Sequence, residues 1–202
     1  MNRSQRPEES LLEKLGFIAY IDQLKNVIRV NALFDGSREE NTAEHSWHAA
    51  LSALILAPYA DEPVDIDRVI RMLLIHDLIE IESGDTFAYA DPEILARQEE
   101  IEIEAAKVVF NRINAPLDTE LRALWDEFEA RQSPEAKFAK AIDRFLPIYS
   151  NIHNGGDIWK QRGVALHQVQ ENIAIIREGS SRLADKTDEL VLAAAQKGML
   201  TT

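Results

Sequence analysis

Three places in the chain put groups able to bind a metal or move a proton inside apolar surroundings. His76, Asp77 and Glu80 interrupt the run Leu73-Leu74-Ile75-His76-Asp77-Leu78-Ile79-Glu80. His45 lies in Glu44-His45-Ser46-Trp47-His48, ahead of a second apolar stretch, and Asp143 lies in a third, Ala141-Ile142-Asp143-Arg144-Phe145. Burial strips such side chains of hydration, so they are rarely inside a protein unless paired or ligating a metal. The ordinary alternative for each is a polar group hydrogen-bonded to its own helix, and a His-Asp dipeptide alone does not decide between the two. Their company favours a metal site. Imidazole and carboxylate together suit a borderline or hard divalent ion, and an origin in three separate helices would make a rigid pocket.

The elements that must position these groups read as helices. Apolar residues fall on nearly every side of a helix over residues 64–81, which predicts a central buried helix stopped by Ser83-Gly84. Within it His76 and Glu80, four apart, share a face, and Asp77 lies about 100° round from His76. Helical spacing predicts a first helix from Leu11 to Leu24 that continues through Lys25-Asn26-Val27-Ile28-Arg29-Val30 to a turn at Asp35-Gly36-Ser37. Asn41 or Thr42 can cap the next helix, with Glu44 in its first turn, and that helix should run to about Leu56. Asp85 then falls in a loop just beyond the central helix. Asp91-Pro92 and Ser133-Pro134 are cap-plus-proline openings for long helices to about Ile113 and to Asn154-Gly155-Gly156, with another helix at about 118–130 between them. Pro147 should kink the helix that carries Asp143. Two further helices, about 164–177 and 181–195, are expected round the outside. No strand pattern emerges, so the predicted fold class is all-α.

Composition narrows the function. A chain of 202 residues fits one domain, 1–202, with a core at about 11–160 and peripheral helices at about 164–196. A net charge of −13 opposes nonspecific nucleic-acid binding, which needs cations for the phosphates. No apolar run reaches membrane-spanning length, and the polar start Met1-Asn2-Arg3-Ser4-Gln5-Arg6 lacks the apolar core of a secretory signal; a cytoplasmic protein is expected. The absence of cysteine excludes disulfides and thiolate chemistry. There is no P-loop and no GxGxxG fingerprint. The acidic run Gln98-Glu99-Glu100-Ile101-Glu102-Ile103-Glu104 is expected to be a solvated helix face. His48 reads as a hydrogen-bonded core histidine, Trp47 as packing or interface, and His153 and His167 as surface residues.

The order His45, His76-Asp77, Asp143 resembles the signature of the HD-domain metal-dependent phosphohydrolases. The longer strings Leu24-Lys25-Asn26-Val27-Ile28-Arg29, Asn41-Thr42-Ala43-Glu44-His45-Ser46 and His76-Asp77-Leu78-Ile79-Glu80 with Gly84-Asp85-Thr86 are similar to its nucleotidase-like branch, which includes the bacterial 5'-deoxynucleotidases. The resemblance covers about residues 11–180 and implies an HD-domain helical bundle. It implies one divalent ion held by His45, His76, Asp77 and Asp143, catalysis by Glu80 and Asp85, and substrate-phosphate binding by Arg29. The stretch between Asp77 and Asp143 has no histidine, so the extra ligands of dinuclear branches are missing. The donor set does not choose among Mg, Mn, Co, Zn, Fe and Ni. Val30 departs from the branch, whose bacterial deoxynucleotidases carry an aromatic residue after the arginine. The implied activity is hydrolysis of nucleoside or deoxynucleoside 5'-monophosphates to nucleoside and phosphate by a homodimer. A phosphodiesterase or pyrophosphohydrolase acting on another nucleotide, or a noncatalytic nucleotide-binding regulatory module, is the alternative.

Overall fold

The computed structural model describes residues 7–201; the polar leader at 1–6 lies outside the described residues. Helices dominate, in agreement with the all-α expectation: α1 (Pro7–Ile21), α2 (Thr42–Leu56), α3 (Ile66–Ile75), α4 (Glu80–Ser83), α5 (Pro92–Phe110), α6 (Leu117–Ala130), α7 (Pro134–His153), α8 (Asp157–Arg162), α9 (Leu166–Gly179) and α10 (Ser181–Gln196). Among the described residues no helix is long and apolar enough to cross a membrane. Several predicted boundaries hold for the predicted reasons. Asn41 accepts from the Glu44 N–H at 3.0 Å while Glu44 accepts from the Asn41 N–H at 3.3 Å, a reciprocal cap on α2. Ser133 caps α7 through the Ala136 N–H, and Gly84, at φ 73°, ends α4. Asp91 makes no side-chain cap on α5, which opens on Pro92 alone.

Two expectations are corrected. Residues 24–30 do not continue the first helix: a 3-10 turn (Asp22–Asn26) leads into strand β1 (Ile28–Ala32), which pairs antiparallel with β2 (Glu39–Asn41) in register Ile28↔Asn41 and Ala32↔Glu39. The β-branched residues Val27, Ile28 and Val30 and the Asp35-Gly36 turn favour a hairpin over a helix. The strand's period of two buries Arg29 and Asn31 together and leaves Ile28 outside.

The expected continuous helix over 64–81 is also broken, into α3 and α4, with a turn at 76–79. There the His76 ring bonds the Leu73 carbonyl at 2.8 Å, the carbonyl that an uninterrupted helix would offer to the Asp77 N–H. The chain tightens instead through three-residue bonds, Leu78 N–H to Ile75 and Glu80 N–H to Asp77.

α7 is the element on which both halves of the core rest. Phe138, Ala139, Ile142 and Leu146 pack with Val69, Met72, Leu73 and Phe128, whereas Ala141 and Ile148 join Trp159, Val169, Ile173, Ile176 and Val191. The C-terminal helices, expected as outer cover, therefore bury a second apolar cluster against the far side of α7. Their approach is close at the end of α9, where a Cβ on Gly179 would lie 2.4 Å from the Lys137 carbonyl oxygen. Gly179→Ala is expected to destabilise the protein by about 1–3 kcal/mol through overpacking, seen as a lower urea midpoint at unchanged slope; an unchanged midpoint would show that α7 and α9 separate freely.

Candidate metal centre and its cavity

His45 comes from the first turn of α2, fixed by the Asn41 cap; His76 and Asp77 come from the break after α3; Asp143 comes from the middle of α7. Their side chains converge. His45, His76 and Asp143 are all buried, and one donor atom from each lies within 4.8 Å of the others. His45 Nε2 is 3.1 Å from Asp143 Oδ1, and His76 Nε2 is 3.4 Å from the same oxygen and 3.0 Å from Asp77 Oδ2. Asp77 Oδ2 stands 4.0 Å from His45 Nε2, so the aspartate closes the group from the His76 side.

The ring of His76 is held by its Nδ1–H on the Leu73 carbonyl, which leaves the Nε2 lone pair facing both carboxylates. That Nε2 is buried and has no hydrogen-bond partner, the Asp77 oxygen being near but poorly aligned. Glu40 Oε2 lies 3.4 Å from Nδ1 of His45. Two imidazole nitrogens and two carboxylates gathered round one point, with a nitrogen left orphaned, fit a divalent cation. In the protein alone a proton stands in for it. Burial would lower the His76 pKa, but the charges of Asp77 and Asp143 outweigh burial and raise it to about 10. Burial alone would raise Asp77, but His76 and Arg29 hold its carboxyl well below the usual range.

A cavity of about 150 Å³ opens beside this group. Arg29 on β1 projects into it and bonds Asp77 Oδ2 at 2.9 Å, with Asp85 at 3.4 Å and Glu80 at 3.7 Å. Those three carboxylates overcome burial and hold the guanidinium pKa above its ordinary value. Glu80 Oε2 accepts from the Thr42 hydroxyl at 2.8 Å, and Asp85 Oδ2 from the Val30 N–H at 3.3 Å. Burial, with Asp77 adding its charge, pushes the Glu80 carboxyl well above the usual range and the Asp85 carboxyl up. All seven residues singled out from the sequence thus lie at the group or along its cavity. His48, by contrast, packs on the Phe34 ring, where burial lowers its pKa, and His153 stacks on the same residue. Trp47 and His167 are exposed.

The cavity also has walls that the sequence reading missed. Asn31, Lys140, Arg144, Asn172 and Tyr89 line it, and so does Glu102 from the acidic run of α5. Lys140 and Arg144 flank Asp143 Oδ2 at 3.9 and 3.7 Å, which leaves Oδ1 to the imidazoles. Helical spacing, three residues back from Asp143, could have flagged Lys140, and Arg144 is its neighbour in the chain. Nothing in the acidic run distinguished Glu102 from its solvated neighbours.

Burial pushes the Glu102 carboxyl up to about 7, helped by the charges of Glu129 and Asp77 and opposed by a hydrogen bond from Gln98. The folded protein thus holds this proton more tightly than the unfolded chain does. Glu102 should contribute stability that is present below its ordinary value of 4.5 and lost as pH rises through about 7. Urea titrations from pH 4 to pH 8 are expected to show Glu102→Gln losing less stability than wild type across that window; parallel curves would mean that the carboxyl is not strained by burial.

A family model described as "HD domain" matches residues 21–184. Human 5'-deoxynucleotidase HDDC2 is 33% identical over 131 residues, 64% of this chain and 62% of the human protein, so the match spans less than two thirds of that relative's length. The 5'-deoxynucleotidase hdd1 of Schizosaccharomyces pombe is 27% identical over 139 residues, 65% of this chain and 67% of the yeast one. A crystal structure of a predicted metal-dependent phosphohydrolase from Magnetospirillum magnetotacticum superposes with a TM-score of 0.91 at 42% identity, covering 98% of this chain and 99% of that one. A Pyrococcus horikoshii protein superposes at 0.60 with 22% identity over 90% of this chain and 98% of its own, a likeness of fold.

Proposed function

This chain belongs to the HD domain family, and from that premise we propose that it is a divalent-metal-dependent phosphomonoesterase, acting as one domain, that hydrolyses nucleoside or deoxynucleoside 5'-monophosphates to nucleoside and phosphate. The observation that carries the reading is the orphaned, buried Nε2 of His76, turned toward His45, Asp77 and Asp143 at the edge of a polar cavity. The relatives named 5'-deoxynucleotidase support the substrate class. His45, His76, Asp77 and Asp143 would hold one ion. Bound there, a divalent cation supplies a Lewis acid for a phosphoryl oxygen and lowers the pKa of a bound water.

The remaining chemistry falls to the chain's own side chains. Arg29 is kept charged and fixed in place by Asp77, and it offers a guanidinium N–H to the incoming phosphate. Glu80 and Asp85 are the carboxyls that burial and Asp77 raise, Glu80 well above the usual range, which suits them to holding and passing a proton. One takes the proton of the attacking water as its oxygen bonds phosphorus; the other gives a proton to the 5'-oxygen as the ester bond breaks. The protein is further read as a cytoplasmic homodimer, on the resemblance and on the commonness of twofold assemblies.

The test is phosphate release by metal-stripped protein from ribo- and deoxynucleoside 5'-monophosphates, with Mg, Mn, Co and Zn returned in turn. Metal-dependent release that disappears in Asp77→Ala together with metal binding is expected. Release of a nucleoside monophosphate from a larger nucleotide, or no release with any ion, would overturn the reading. Glu80→Gln should keep the metal and lose about 10²–10⁴-fold in kcat; near-normal turnover would reduce Glu80 to a support for the ligands.

A further inference from the structure

The cavity wall includes, besides the metal group, a hydrogen-bond donor whose direction is fixed by the fold. Asn31 stands two residues beyond Arg29 on the buried face of β1 and lines the cavity with it. Val30, between them, lies on the other face of the strand and meets the site only through its backbone N–H on Asp85. The side-chain amide of Asn31 is gripped from behind by α7, where Asn151 Nδ2 donates to Asn31 Oδ1 at 3.2 Å and to the Pro147 carbonyl at 2.9 Å.

The Pro147 carbonyl can only accept, so Asn151 must turn its NH₂ that way, even though its own Oδ1 is left without a partner. Both Asn151 hydrogens are then used. Asn31 must present its oxygen to Asn151 and its NH₂ to the cavity, where among the described residues no acceptor takes it. The strand itself is pinned at the next residue, since Ser150 Oγ donates to the Ala32 carbonyl at 2.6 Å. The donor is therefore aimed by two buried contacts from α7.

Position gives the acceptor. Two strand residues span roughly 6.6 Å, which is the reach from a phosphoryl group beside Arg29 to the sugar ring of a 5'-nucleotide. Along α7, likewise, Asn151 lies two turns beyond the metal-group residue Asp143, with Pro147 between them in the cavity wall. The geometry points to Asn31 as a specificity-determining residue whose side-chain N–H donates to a sugar hydroxyl of the substrate. This rests on the nucleotide phosphomonoesterase reading above and adds the group that reads the sugar.

The test compares Asn31→Ala and the similarly sized, uncharged Asn31→Leu with wild type. The substrates are a ribonucleoside, a 2'-deoxynucleoside and a 2',3'-dideoxynucleoside 5'-monophosphate, and p-nitrophenyl phosphate, which has no sugar. Loss of one such hydrogen bond should raise KM for the hydroxyl-bearing nucleotides roughly tenfold, leave p-nitrophenyl phosphate unchanged, and add nothing on the nucleotide that already lacks the hydroxyl. The leucine variant fills the same space with neither donor nor charge, and an unchanged urea midpoint shows that it folds, so it reports on the donor even if the alanine variant folds poorly. Equal losses on p-nitrophenyl phosphate would assign the amide to the phosphoryl group, and equal losses on the dideoxynucleotide would exclude a hydroxyl; either overturns the inference. Unchanged KM on every substrate also overturns it. Wild type inactive on all nucleotides would sink the phosphomonoesterase reading and this inference with it, a result separate from an active wild type matched by its variants.

Discussion

The structure depends on one electrostatic constraint: two imidazoles and the Asp143 carboxylate are buried at a single point, with the part-buried Asp77 carboxylate closing the group at the cavity edge. An unpaired charge in such a place costs several kcal/mol. The fold answers by bringing each group from a different element and holding each from behind. Leu73 fixes the His76 ring, Lys140 and Arg144 draw Asp143 Oδ2 aside, Arg29 neutralises Asp77, and Glu40 sits behind His45. What remains pointed inward is the set of atoms that a cation would join.

The break between α3 and α4 follows from the same constraint. A continuous helix would turn Asp77 about 100° away from the face that His76 shares with Glu80, and its Leu73 carbonyl would be committed to the Asp77 N–H. The turn at 76–79 frees that carbonyl for the His76 ring and lets His76 Nε2 and Asp77 Oδ2 stand 3.0 Å apart. The irregularity that spoils the helix assembles the group.

His45, His76, Asp77, Glu80 and Asp143 were legible in the sequence because a charge inside an apolar run is conspicuous whatever the backbone does, whereas Arg29 and Asp85 stood out only through the family resemblance. The elements were less so. Asn41, Ser133 and Gly84 marked their helix ends correctly, since capping is decided by residues adjacent in the chain. The hairpin was missed because Leu24 to Val30 carries an apolar spacing that suits a helix as well as a strand, and only pairing with Glu39–Asn41 decides between them. Reading it as a helix also hid Asn31, which shares a face with Arg29 only at a period of two. Glu102 was hidden differently. Its neighbours Glu99, Glu100 and Glu104 are solvated as expected, and what singles it out is the position of α5 over the cavity, a fact of tertiary packing.

The charges round the cavity impose a last condition. Arg29, Lys140, Arg144 and the protonated His76 face Asp77, Glu80, Asp85, Glu102, Glu129 and Asp143, four cations against six carboxyls, so a fully ionised cavity would repel a phosphate dianion. Two features relieve this. A divalent cation at the metal group, on the function proposed, would remove most of the excess, and burial makes the carboxyls harder to ionise, with Glu80 raised well above the usual range and Glu102 up to about 7. The burial that raises the Glu80 and Asp85 carboxyls, and so suits them to acid–base chemistry, thus also lessens the repulsion met by an entering phosphate. Binding and proton transfer in this cavity draw on one arrangement: carboxyls buried close to Asp77, with Arg29 as the fixed charge between them.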